Sequence, residues 1–158
     1  MAVNTWDGAV DTDWNREVNW NTTGETDRVP TGADDVVIAN VTNDPVIPSS
    51  TDPTINSLAI ESGGNLDGNG NEITIDGENG AGLAVDLDGI ITGTDTDITI
   101  TLASAGTNVM FQPTTGALRN ITINGSGNTV NLRNATAESN KEPHTWHVSP
   151  PPSSLDST

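Results

Sequence analysis

Ile55-Asn56-Ser57-Leu58-Ala59-Ile60 runs through Glu61-Ser62-Gly63-Gly64 into Asn65-Leu66-Asp67, then through Gly68-Asn69-Gly70-Asn71 into Glu72-Ile73-Thr74-Ile75. Three short apolar segments follow one another, each alternating or nearly so and each bounded by Gly, Asn and Asp. That is the pattern of strands joined by tight turns, because Gly and Asn accept the left-handed backbone that such turns demand. None of the segments is long enough for a helix, and no run of Ala, Leu, Glu and Lys occurs that would sustain one.

The same grammar extends in both directions. Val36-Val37-Ile38 precedes this stretch, and Leu83-Ala84-Val85, Ile98-Thr99-Ile100, Val109-Met110-Phe111, Ile121-Thr122-Ile123 and Val130-Asn131-Leu132 follow it. Ile38, Ile60, Val85, Phe111 and Leu132 form one series with steps of 22, 25, 26 and 21 residues. Ile75, Ile100 and Ile123 form a second with steps of 25 and 23, and Leu66, Ile91 and Leu118 a third with steps of 25 and 27. Three apolar series of shared period predict a three-sided coil with one strand per side and a turn at each corner. The fold class expected is therefore all-β, a short right-handed parallel β-helix (β-solenoid) of about four to five coils. At about 4.8 Å per coil the body stands only about 20–25 Å tall. A β-sandwich also places strands at regular intervals and is the competing architecture.

The chain has 158 residues, room for one domain, and divides into three zones. Residues 1–33 hold Trp6, Trp14 and Trp20 in a polar, irregular setting and read as an N-terminal cap over the open end of the solenoid. Residues 34–132 are the body. Residues 133–158 end in Ser149-Pro150-Pro151-Pro152-Ser153-Ser154-Leu155 and read as an extended, Pro-rich tail. Trp146, flanked by His144 and His147, is the natural anchor of that tail on a partner, with Pro150, Pro151, Pro152 and Leu155 beside it.

Charge narrows the function. Asp and Glu number 22 against 5 Lys and Arg, for a net charge of −17, and no Lys or Arg occurs between Arg28 and Arg119. A continuous negative field repels a phosphate backbone, so nucleic acid is not an expected partner. No apolar stretch approaches the ~20 residues needed to cross a bilayer, and the start lacks the pattern of a secretory leader, so neither membrane nor export is expected.

The inventory for catalysis is thin. Asp86 with Asp88, and Asp95 with Asp97, share a strand face by their i,i+2 spacing, as paired catalytic carboxylates would. Yet the body has no Lys, His or Tyr to complete a general acid–base site, and such pairs also occur as plain solvated turn residues. Cysteine is absent, and Ser126 between Gly125 and Gly127 reads as a turn, not a nucleophile elbow. No enzyme and no cofactor are expected. Calcium is the one metal with any support: Asp67, Asn69, Asn71 and Glu72 cluster hard oxygens, although the spacing matches neither the EF-hand nor the β-roll nonapeptide, and a plain Asn/Gly turn is the stronger reading. Asn134-Ala135-Thr136 fits a glycosylation sequon that goes unused without export.

Trp14 to Trp20, Val29-Pro30-Thr31-Gly32-Ala33-Asp34-Asp35-Val36-Val37-Ile38 and Ile55 to Ile60 resemble the opening of β-helical surface and virion proteins of phages. A similar opening occurs in bacterial β-helical adhesin passengers. The likeness spans roughly residues 6–75. It implies a non-enzymatic virion structural protein, a phage capsid decoration or small appendage subunit on the virion surface. Its partners would be other virion proteins and further copies of itself in a homo-oligomer. The alternatives are an extracellular adhesin fragment and a carbohydrate-binding module that stacks sugars on Trp6, Trp14 or Trp20.

Overall fold

The computed structural model describes residues 1–93 and 96–101 and the strands at 108–111, 118–124 and 131–133, with side chains through residue 99. Within them the chain is all-β, and a single 3-10 turn at Glu17–Asn19 is its one helical element. The strands are β1 (Val3–Trp6), β2 (Trp20–Thr22), β3 (Asp35–Ile38), β4 (Thr54–Ile55), β5 (Ser57–Ile60), β6 (Asn65–Asp67) and β7 (Glu72–Ile75). They continue as β8 (Leu83–Leu87), β9 (Ile90–Thr92), β10 (Thr96–Thr101), β11 (Asn108–Phe111), β12 (Leu118–Asn124) and β13 (Asn131–Arg133).

Three sheets take these strands in turn. The seven-stranded sheet has the order β13-β11-β8-β5-β3-β1-β2, the four-stranded sheet β12-β10-β7-β4, and the third pairs β6 with β9. Thus β5, β6 and β7 fall one in each sheet, and β8, β9 and β10 repeat that visit in the same order. Every strand pair is parallel except β1 with β2. From β3 onward parallel neighbours stand 20–27 residues apart, as the sequence period requires, while β1 and β3 are 32 apart; parallel pairing needs such a long connection between partners.

The register corrects two of the expected series. Ile38 pairs with Ile60, but Ile60 pairs with Leu87 and Leu87 with Phe111, whereas Val85 stands between Leu58 and Val109, and Leu132 follows Val109. The apolar spacing runs two adjacent inward columns together, because two inward positions, i and i+2, both carry aliphatics. Leu118 likewise pairs with Thr96 in the four-stranded sheet, not with Ile91, although Leu66 does pair with Ile91. The series Ile75, Ile100, Ile123 stands in register as expected, with Ile55 added below it.

Inward positions form one apolar core. Ile38, Ile47, Ile55, Leu58, Ile60, Leu66, Ile73, Ile75, Val85 and Ile98 are all buried, each worth about 1.5–3 kcal/mol against exposure. Corners are held by glycine where the backbone crowds: a Cβ at Gly89 would meet Gly64 O, Ile60 Cγ2 and Glu61 O, all closer than atoms can stand. Gly64 and Gly89 occupy the same corner on successive passes, joined by Ile90 N donating to Gly64 O at 3.0 Å.

Residues 1–33 contribute two strands to the seven-stranded sheet. β1 lies parallel to β3, Trp6 opposite Ile38 and Asn4 opposite Val36, and β2 folds back antiparallel so that Trp20 faces Trp6 and Thr22 faces Asn4. Polar Asn4 and Thr22 at inward positions disguised the alternation in sequence.

Candidate functional site

The N-terminal end of the seven-stranded sheet concentrates the unusual chemistry of the described residues. Trp6, Trp14 and Trp20 form a contiguous stack: Trp6 and Trp14 each meet Trp20 edge-on, with centroids 5.0 and 4.7 Å apart and planes at 82°. Edge-to-face rings of this kind gain about 0.5–1.5 kcal/mol beyond their burial. Two indole N–H groups are spent internally, Trp6 Nε1 donating to Asn43 O at 2.7 Å and Trp20 Nε1 to Trp14 O at 2.8 Å. The three side chains are 0%, 1% and 0% exposed in chain order, so no ring presents a face on which a sugar could stack. The expected glycan platform is therefore corrected: sidedness of the strands turns these rings into the core.

β2 is the edge strand, and its free side is plugged. Asn19 O and Thr23 N bond toward β1, through Asp7 N and Val3 O, so by alternation Trp20 and Thr22 point their backbone N–H groups away from the sheet. Trp20 N donates to Glu17 O, and Thr22 N to Asp27 Oδ1 at 3.2 Å. An open edge would offer these groups to another strand. Here the 3-10 turn and the loop after β2 fill them.

A buried ion pair locks that loop to the body. Arg28 Nη1 and Nη2 donate to the two oxygens of Asp34 at 2.5 and 2.8 Å, and Thr31 adds its N–H and hydroxyl to Asp34 Oδ2, both at 2.8 Å. Asp34 is 1% exposed and Arg28 31%. The bond from Arg28 first, then those from Thr31, hold the Asp34 carboxyl well below the usual carboxylate range, and the same pair raises the Arg28 guanidinium. Asn4 Nδ2 ties in Arg28 O at 2.9 Å. Above, buried Asn19 organises the loop between the first two tryptophans: its Oδ1 accepts from Val10 N and Asp11 N, and its Nδ2 donates to Asp11 Oδ1 at 2.6 Å and Asp13 O. That bond from Asn19, with Arg16 on the other oxygen, lowers the Asp11 carboxyl. The loop then runs beside Val46, which bridges Asp13 and Asp67 and so extends the β6–β9 sheet.

Sequence reasoning found the tryptophans and missed Arg28, Asp34, Asn19 and Asp27. The readable signal was Thr31-Gly32-Ala33-Asp34, a Thr and an Asp spaced to bond one another just before a strand.

Beyond this end, from Val29 to Leu118, the sequence holds only one sign of charge. Arg16 and Arg28, the two cations with described side chains, are both paired within residues 11–34. Asp86, on the outward side of β8, has its carboxyl raised by burial and then by Asp88, and its Oδ1 is buried without a hydrogen-bond partner. Asp97 lies on β10 in another sheet, and Asp95 lies outside the described residues.

The residues expected to offer calcium oxygens are separately engaged. Asp67 Oδ1 accepts from Asn69 N, Glu72 Oε1 accepts from Thr99 Oγ1, and the Asn69 and Asn71 amides donate to Ile47 O, with Asn71 Nδ2 also on Pro48 O and Gly68 O. No group of three or more His, Cys, Asp or Glu gathers among the described residues. These asparagines pin the 47–50 loop to the body, Asn71 Oδ1 also accepting from Ser50 N at 3.0 Å. Trp146, His144, His147, Pro150, Pro151, Pro152, Leu155, Ser126 and Asn134 lie outside the described residues. No described helix is long and apolar enough to cross a membrane.

Compared with known proteins, the chain matches no curated protein and no solved structure. One family model matches residues 5–92, which takes in the tryptophan stack, the plugged edge, the Arg28–Asp34 pair and strands β2 to β9. The chain belongs to the family described as Domain of unknown function (DUF8693).

Proposed function

We infer that the chain is a non-enzymatic structural subunit of a virion surface, a phage capsid decoration or small appendage protein, built as a short right-handed three-sided parallel β-helix. The observation that carries the reading is the closed N-terminal end. A body of parallel strands visited in fixed rotation, finished at one end by a tryptophan plug and a filled edge, suits a part that must stop growing at one face and bind at another. Right-handed closure follows the general preference of parallel crossovers. The resemblance of residues 6–75 to β-helical virion openings supports the setting. The acidic body disfavours nucleic acid as the partner. Attachment is assigned to the tail, with Trp146 as its anchor, and the working form to a homo-oligomer.

Electron microscopy of particles from the native source tests this. Regular copies of the chain on a viral particle, with residues 134–158 against neighbouring subunits, are the expected result. A chain found instead on cell surfaces, or one that still assembles after deletion of 134–158, overturns the virion role or the arm respectively.

A further inference from the structure

Asn79-Gly80 is one of three Asn-Gly steps in the chain, with Asn69-Gly70 and Asn124-Gly125. It alone among the two with described side chains is arranged for reaction at the side-chain amide. Asn79 Oδ1 accepts from Ala81 N at 2.9 Å and from Leu83 N at 3.1 Å, two donors that polarise the Cγ carbonyl and would hold negative charge developing on that oxygen. The loop is closed behind it by Asn79 N donating to Leu83 O at 2.8 Å and Gly82 N to Asn79 O at 2.9 Å, with Gly82 in the left-handed region at φ 75°. No hydrogen bond among the described residues engages Asn79 Nδ2 or Gly80 N. Gly80 is exposed and has open space around it. Asn69 is the opposite case: its Nδ2 donates to Ile47 O at 3.1 Å and Ser49 Oγ at 3.3 Å, which holds the amide as a tether.

The geometry points to Asn79 as a site of spontaneous modification, an asparagine that the folded chain converts to aspartate and isoaspartate with water as the only co-reactant. Gly80 N attacks Asn79 Cγ and loses its proton to solvent. The tetrahedral oxyanion forms at Oδ1, under Ala81 N–H and Leu83 N–H. Nδ2 takes a proton and leaves as ammonia, closing a cyclic imide. Water then adds to either imide carbonyl and opens the ring to one of two acids. One water is consumed and one ammonia released, with no change of oxidation state. Each event adds a carboxylate to a stretch without Lys or Arg, which runs from Arg28 to Arg119, and the isoaspartate branch lengthens the backbone four residues ahead of Leu83, the first residue of β8.

The test is timed incubation of the full chain at mildly alkaline pH, folded and in denaturant, followed by peptide mapping. Cleavage at acidic residues is needed, since no Lys or Arg lies between Arg28 and Arg119. In the folded chain Asn79 is expected to convert several-fold faster than Asn69, while in denaturant the Asn-Gly steps converge. Gly80→Ala, which the open space tolerates, should remove the lead of Asn79 while leaving the circular dichroism unchanged. Equal folded rates at Asn79 and Asn69, or a slower rate at Asn79 folded than unfolded, overturns the proposal.

Discussion

Asp34 and Asp86 show one residue type driven in opposite directions by its surroundings. Asp34 is ionised inside a cradle of Arg28 and Thr31 donors, so its folded value lies below the ordinary one. Its stabilisation is complete above about pH 4 and drains away as pH falls through the depressed value. Asp34→Asn should therefore lower stability at neutral pH, by about 1–3 kcal/mol for donors left unmatched, and flatten the acid limb of the stability curve measured by urea titration. Asp86 has the reverse sign: burial and Asp88 raise its carboxyl, so ionisation costs stability as pH rises through that value. Asp86→Asn should raise the melting temperature at pH 7 and leave it unchanged near pH 3, measured by calorimetry on both proteins. Trp20, unexposed and edge-on to two other rings, sets the scale for the plug, and Trp20→Ala should cost about 3–5 kcal/mol. At this scale the sequence was legible where a residue type has few uses, as with tryptophans beside a strand train. It was illegible for Asp34 and Asn19, because Asp and Asn are abundant in the chain and only tertiary partners separate the buried ones from turn residues.

Among the elements, strand positions were readable because Ile-Thr-Ile and Leu-Ala-Ile alternate against Gly and Asn punctuation. Register was harder. Val85 and Leu87 both point inward on β8, with Asp86 between them, and nothing local to the sequence says that Leu87 rather than Val85 follows Ile60. β1 and β2 escaped altogether, since Asn4 and Thr22 occupy inward positions that a pattern of apolar residues would not reveal. The corners carry their own prediction. Gly89→Ala must push its Cβ into Gly64 O and Glu61 O, both backbone atoms that cannot swing aside, whereas Gly80→Ala meets nothing. The first should destabilise the chain strongly and the second by less than about 0.5 kcal/mol, the usual range for benign surface changes, in paired denaturation curves.

For the molecule as a whole, 17 unbalanced negative charges repel one another along a single chain. Raising ionic strength shortens the reach of that repulsion, to about 8 Å at physiological salt, so the melting temperature should climb with added sodium chloride and climb further in magnesium. A melting temperature that falls with salt would show that ion pairs such as Arg28–Asp34 outweigh the repulsion. The filled edge of β2 has a temporal meaning as well. Synthesis delivers residues 1–38 before the strands that follow, so the ribosome releases the plug together with β3, a strand that can serve as a template. Each later pass then finds a finished row of backbone partners waiting on one side and nothing on the other. The closed end is thus placed to act as a seed from which order spreads in one direction, so that errors late in the chain leave the early strands intact while an error in the seed is inherited by all.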